Sequence, residues 1–352
     1  MRIPEIIKEI QLNGLNSTPE NAGDVDYSAS RRAYSASFEG EGERKVSFVL
    51  EDLRQLVLEG RFDPGNAVAL SIGGADGSDL RALLQKMPIR GGVLLEYARE
   101  AAAAARAKAD LEGGQRIEVV EGDATQKKGE AVDVALNCSG GAKTVIVMCF
   151  GVLHELPTRS PDYREDRFFD IFFSKFESVL LYCAEPCAVP AFDYLGWPDE
   201  VEIRLPDLPE WKLRLVADHI CLQRFGVGVS EDSARGGGWV VMRSNQAVEV
   251  LHKLIRFQDM QRFRHEMGER LTSFNGATMG RAIQASFGVN DVEMELMYRT
   301  STGFRDAYRE HGVEARASGG QWPLLPPPIT HCRLILRRLR QSGAPLCPTE
   351  GG

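Results

Sequence analysis

Short apolar runs, each followed by a turn and then by apolar positions at helical spacing, recur along residues 66–185. Ala67–Ile72 is an apolar run of the kind expected for a parallel strand buried on both faces. Leu80, Leu83, Leu84 and Met87 then fall at i, i+3, i+4 and i+7, a helical face stopped by Pro88. Gly92–Leu95 predicts a second strand, the alanine-rich Ala98–Leu111 a second helix, and Ile117–Val120 a third strand. Ala131–Leu136 reads as helix, ended by Gly140-Gly141, and Thr144–Cys149 as a fourth strand. Phe169, Phe172, Phe173 and Phe176 form a further helical face before a fifth strand, Val179–Ala184. Such alternation predicts a doubly wound α/β sheet with right-handed crossovers.

The rhythm differs on either side. Residues 1–60 read as an N-terminal arm or lid: a short helix, a polar stretch, and a helix with Phe48, Val49, Leu53, Leu56 and Val57 on one face. Residues 61–185 and 301–340 form the expected core, 186–300 an inserted α+β cap or substrate subdomain, and 341–352 a frayed tail. Within the insertion, Val201–Leu205, Leu213–Val216 and Trp239–Met242 look like short strands between Pro- and Gly-rich loops. A long helix follows, with Val248, Leu251, Ile255, Met260, Phe263 and Met267 as its buried side. After a short helix to Glu310, Val313–Ala317 and Cys332–Leu336 are joined without a crossover helix, which predicts antiparallel neighbours.

Composition narrows the functional classes. The chain has 352 residues and a formal charge of −8, which argues against non-specific nucleic-acid binding. The basic clusters Arg262, Arg264 and Arg270, and Arg333, Arg337, Arg338 and Arg340, read as solvated faces. No apolar stretch reaches the ~20 residues that span a bilayer, and the N-terminus lacks the apolar core of a signal peptide. Seven cysteines, none in a Cys-x-x-Cys pair, sit mostly in apolar contexts, as for reduced thiols in the cytoplasm. Cys183 and Cys187 have no His at ligand spacing, so no metal is expected.

The chemistry centres on Ser71-Ile72-Gly73-Gly74-Ala75-Asp76-Gly77-Ser78-Asp79, a strand running into a glycine turn and a helix. The dinucleotide fingerprint G-x-G-x-x-G does not register: Ala75 stands at its second glycine and Ser78 at its third. Asp76 would also lie near two phosphate charges, with no obvious cation to offset it. A ligand that carries a cation and no phosphate suits glycines and carboxylates together.

These residues resemble the first motif of class I S-adenosylmethionine-dependent methyltransferases, an acidic and an apolar residue followed by G-x-G-x-G. Ser71 replaces the acid and Ala75 the middle glycine, so Asp76 or Asp79 would compensate, Asp79 reading also as a helix cap. Glu96 ends the second strand 23 residues after Gly73, where the resemblance implies a contact to the ribose hydroxyls. Val119-Val120-Glu121-Gly122-Asp123-Ala124 looks like the family's adenine turn, with Asp123 accepting from the exocyclic amine, and Phe150–Pro157 is similar to its V-L-H segment. The resemblance covers residues 66–185 and 303–338 and implies a mostly parallel seven-stranded sheet with an antiparallel last strand.

It assigns S-adenosyl-L-methionine as cofactor, held by Ser71, Gly73, Gly74, Asp76, Gly77, Glu96, Tyr97, Asp123, Ala124 and Phe150. His154 is the first candidate for a general base, with Glu155 second. Tyr27 and Tyr34, with Phe38, would fold over the site, where aromatic faces suit a sulfonium. The expectation is a cytoplasmic methyltransferase, monomer or homodimer, with a small-molecule acceptor and neither nucleic acid nor membrane as partner. Two alternatives remain open: attack at the aminocarboxypropyl carbon of the same cofactor, and a non-catalytic binding module.

Overall fold

A computed structural model describes residues 3–14, 41–112, 117–138, 141–156, 163–187, 198–205, 208–222, 227–229, 239–256, 274–301, 304–317 and 329–339. The regular alternation builds β1 (Ala67–Ile72), α3 (Ser78–Lys86), β2 (Gly92–Glu96), α4 (Arg99–Glu112), β3 (Ile117–Glu121), α5 (Ala124–Cys138) and β4 (Thr144–Phe150). Two short helices, α6 (Glu165–Phe168) and α7 (Asp170–Lys175), lead into β5 (Ser178–Cys187). Ahead of them stand α1 (Ile3–Asn13) and α2 (Glu41–Leu58). After β5 come β6 (Glu200–Arg204), α8 (Glu210–Leu222), β7 (Val227–Val229), β8 (Trp239–Arg243) and α9 (Ser244–Arg256). The chain closes with α10 (Gly276–Phe287), β9 (Glu293–Ser301), α11 (Phe304–Glu310), β10 (Glu314–Ala317) and β11 (Ile329–Arg338).

The large sheet has seven strands in the order β3-β2-β1-β4-β5-β11-β9. β1 to β5 pair in parallel, and β11 runs antiparallel between β5 and β9. Every residue of β1 is buried, because helices cover both faces of the sheet. One face packs on α5 and on Phe168, Phe169, Phe172, Phe173 and Phe176; the other packs on α2, α3 and α4. Burying each phenylalanine contributes about 1.5–3 kcal/mol, which fixes how α6 and α7 sit on the sheet.

The four-stranded sheet β10-β6-β8-β7 is antiparallel throughout. It shares a separate core with α1, α8 and α9, in which Ile6, Val216, Leu251 and Tyr308 are buried. No helix among the described residues is long and apolar enough to cross a membrane.

Several expectations are corrected. Leu213–Val216 lies inside α8; Leu213, Val216, Ala217 and Ile220 are buried at helical spacing, which overrides the apolar run. β10 does not pair with β11 but with β6, since β11 is already hydrogen-bonded along its whole length to β5 and β9. α5 begins at Ala124, not Ala131. Val57 is 39% exposed, and the buried side of α2 is Val46, Phe48, Val49, Leu50, Leu53 and Leu56. Arg333, Arg337 and Arg338 are half-buried, not a solvated face. Met260, Phe263, Met267, Arg262, Arg264, Arg270 and Arg340 lie outside the described residues.

Candidate functional site

Polar groups converge at the C-terminal edge of the parallel strands, beginning with the turn after β1. Gly73 has φ +65°, and its N–H donates to the carbonyl of Leu95 at 2.8 Å. A Cβ there would come within 2.6 Å of Val152 Cγ2, so glycine lets the turn meet the loop after β4. Ala75, at φ +51°, occupies a left-handed conformation that costs an L-residue about 1–2 kcal/mol. Its N–H donates to Glu96 Oε2 at 2.8 Å, which offsets that strain.

Beneath the turn, buried Ser71 donates from Oγ to Asp79 Oδ2 at 2.8 Å, and the Leu80 N–H donates to Asp79 Oδ1 at 2.7 Å. A carboxylate from α3 therefore lies beside position 71. Burial pushes the Asp79 carboxyl above its usual range, against the lowering by these two bonds. A Cβ on Gly74 would collide with Ser71 Oγ, so the pair packs directly under this glycine.

Asp76 is differently placed. Its carboxylate pairs with Lys108 of α4 and, at 3.6 Å, with Arg81 of α3, while its carbonyl accepts from Arg81 at 2.6 Å. Burial alone would raise its carboxyl, but Lys108 and Ser78 hold it below the usual value. The expectation that no cation offsets Asp76 is thus corrected: two do.

The ends of β2 and β3 join this turn. Glu96 is buried, and its second oxygen accepts the Ala98 N–H at 2.8 Å, so one carboxylate ties the glycine turn to the entry of α4. The Glu96 carbonyl accepts from the Gly122 N–H at 2.9 Å. Asp123 accepts the Thr125 N–H and hydroxyl at 2.8 Å each and caps α5. Tyr97 is half-buried and Ala124 buried at the same edge.

The loop after β4 carries a group that the sequence reading missed. Glu185 of β5 is fully buried; its Oε1 accepts the Val152 and Leu153 N–H groups at 2.8 and 3.0 Å. Its Oε2 lies 2.9 Å from Nδ1 of buried His154. Where that carboxylate accepts, Nδ1 is the donor of the pair. The available signal was an acid inside an otherwise apolar strand. Glu155 is half-buried in the turn. Tyr27, Tyr34 and Phe38 lie outside the described residues.

α2 reaches the same edge. A Cβ on Gly42 would lie 2.7 Å from the carbonyl carbon of Ser78, at the start of α3. One turn and a half further on, the Phe48 ring lies 5.7 Å from Phe150 and 6.0 Å from Tyr182. Two cavities lie elsewhere: about 430 Å³ beside Glu43, Arg44 and Lys86, and about 1010 Å³ near Arg61, Phe176 and Asp291. Neither touches the ends of β1, β2 or β4, so the candidate edge is marked by convergent polar groups and not by cavity size.

No protein-family model matches the chain, and no curated protein matches its sequence. Similar solved structures include the plantazolicin methyltransferase BamL in complex with triazolic desmethylPZN analog and SAH. It is 10% identical, with a TM-score of 0.47 over 96% of this chain and 99% of that one. The plantazolicin methyltransferase BpumL in complex with SAH gives 10%, 0.44, 96% and 99%. The N-terminal domain of EvdMO1 with SAH bound gives 17%, 0.36, 83% and 81%.

Proposed function

We propose that this chain, whose strand order β3-β2-β1-β4-β5-β11-β9 is the class I S-adenosylmethionine-dependent methyltransferase fold, binds that cofactor across the ends of β1, β2 and β3 and methylates a small-molecule acceptor. The observation that carries the reading is the closed turn: Gly73 and Ala75 bend left-handed, Glu96 locks them, and Asp79 lies buried beneath through Ser71. A buried carboxylate whose charge is disfavoured suits an ammonium, and Asp76 already occupies the local cations Lys108 and Arg81. A pyrophosphate would face Asp79 and Glu96 here, with Lys108 and Arg81 already committed to Asp76.

Each remaining residue has a role in this reading. Glu96 accepts from the ribose hydroxyls through its remaining lone pairs, and Asp123 accepts from the adenine amine through the oxygen not used in capping. Gly74, Gly77, Tyr97, Ala124 and Phe150 shape the cradle. Bound S-adenosylmethionine supplies a methyl carbon already activated by its sulfonium. The protein aligns the acceptor and excludes water. Where the acceptor loses a proton, His154 Nε2 takes it, and Glu185 stabilises the resulting imidazolium across the 2.9 Å contact. Glu155 is the second candidate for the base, and Tyr27 and Tyr34 would cover the sulfonium.

Calorimetry with SAH tests the reading. Wild-type protein binds it, and Glu96→Ala weakens binding by about 1–3 kcal/mol. A wild-type protein that binds neither S-adenosylmethionine nor SAH would sink the proposal. Turnover that releases methylthioadenosine in place of SAH would move the reaction to aminocarboxypropyl transfer.

A further inference from the structure

On the α2 side of the sheet, β11 carries two arginines of opposite circumstance. Residues 333 and 337 are four apart on one strand, so they share a face. Arg337 is neutralised: it pairs with Asp52 of α2 and Glu295 of β9, and Asp52 also accepts from Tyr182 at 2.6 Å. Among the described residues Arg333 has no such pair. Its guanidinium lies 4.5 Å over the ring of Phe48, and its Nη1 is sealed from solvent with no hydrogen-bond partner among those residues.

Its surroundings add positive charge. Arg299 of β9 weakens Arg333's hold on its proton, as burial does more strongly, and Glu51 of α2 opposes both. No carboxylate lies within ion-pair distance of Arg333 or Arg299 among the described residues. Leaving a buried charged donor unbonded costs more than the ~1–3 kcal/mol of a neutral one.

Register places this group at the functional edge. Arg333 pairs with Ala184, which pairs with Phe150 at the end of β4. Arg299 sits two rungs further out, opposite His331. From β1, β11 is three strands away, roughly 14 Å at normal strand spacing. The glycine turn and Glu96 therefore lie on the far side of β4 from the arginines.

We propose that Arg333, supported by Arg299, binds the carboxylate of the acceptor, so that the substrate class is small molecules bearing an anionic group beside the methylated position. This rests on the methyltransferase reading. His154 and Glu185 belong to the other face of the sheet, so the acceptor crosses the strand ends to meet both, in the crevice where such sheets bind ligands.

The test titrates SAH-saturated protein with benzoate and with neutral benzamide, followed by side-chain ¹⁵N signals of arginine and by calorimetry. Wild type prefers benzoate by about tenfold or more, as a charge-assisted bond implies. Arg333→Gln loses that preference, Arg333→Lys keeps part of it, and both retain wild-type affinity for SAH. Equal binding of benzoate and benzamide, or a preference untouched in Arg333→Gln, overturns the proposal. A tenfold loss of SAH affinity in Arg333→Gln also overturns it, since the arginine would then hold the cofactor's own carboxylate. A purely structural arginine predicts that Arg333→Met lowers the melting temperature of the unliganded protein; a ligand-binding one predicts no fall. If wild type ignores SAH yet still prefers benzoate, the function fails and the anion site stands.

Discussion

Glu185→Gln alters one atom of a side chain that holds three hydrogen bonds, and its effect on His154 can be worked from the geometry. Oε1 accepts from two backbone N–H groups, and Oε2 faces His154 Nδ1. An amide must keep its oxygen on the backbone pair, because turning its NH₂ there would orphan two buried donors at about 1–3 kcal/mol each. Its NH₂ then points at Nδ1, which must accept, and the imidazole proton moves to Nε2. Loss of charge assistance on three bonds removes roughly 1.5–3 kcal/mol of stability, well inside a typical 5–15 kcal/mol, so the variant folds. Nε2 can no longer take a proton, and turnover on an acceptor that must be deprotonated falls by on the order of 10²–10⁴. Two-bond ¹H–¹⁵N spectra of the His154 ring report the tautomer directly, and SAH release reports the rate. An unchanged tautomer, or an unchanged rate on such an acceptor, refutes the assignment of His154 as base.

Other substitutions separate stability from binding. The folded pKa of Asp79 is raised, so the carboxyl destabilises the fold as pH climbs from its usual range toward the raised value. Asp79→Asn should therefore melt higher than wild type at pH 7, the gap closing in acid, while SAH binds about 10–100-fold more weakly; a lower neutral melting point or unchanged affinity would contradict this. Asp76 has the opposite sign: its pKa is depressed, so its stabilisation holds above the usual carboxyl range and is lost as pH falls through the lowered value. Lys108→Met should remove that acid-side loss, an effect below ~1 kcal/mol for so exposed a pair, read from melting curves between pH 2 and 6. Gly73→Ala forces a Cβ against Val152 at positive φ and should abolish SAH binding in calorimetry while most of the fold's circular dichroism persists.

Legibility followed the range of the interactions. β1, β2, β4 and β5 were readable because each is a buried apolar strand bounded by turn residues, a signal carried within a few positions, and β3 because Ile117, Val119 and Val120 are apolar in the same rhythm. The glycine turn and Glu96 were readable for the same reason. Lys108 was not: it meets Asp76 across 32 residues, and only the approach of α4 to the glycine turn brings the charges together. Glu185 likewise looks inert until the loop after β4 folds back over it. β9 alternates Glu293, Met294, Glu295 and Leu296, the charged pattern of an edge strand, and gave little hint of membership in the large sheet. The V-L-H segment pointed to His154, but nothing local distinguished the carboxylate that orients it.

The small sheet draws β6, β8 and β10 from stretches separated by most of the large sheet's last third, and its core borrows Ile3, Ile6, Ile7 and Ile10 from the opposite end of the chain. Such a body is sewn into its neighbour, not plugged in. It cannot be exchanged between chains of this fold as a cassette, since any graft needs matched seams before residue 41, after β5, around α10 and β9, and before β11. It also cannot close on the ribosome until Val313 and Ala315 have emerged, so its core waits until nearly all strands of the large sheet have been made.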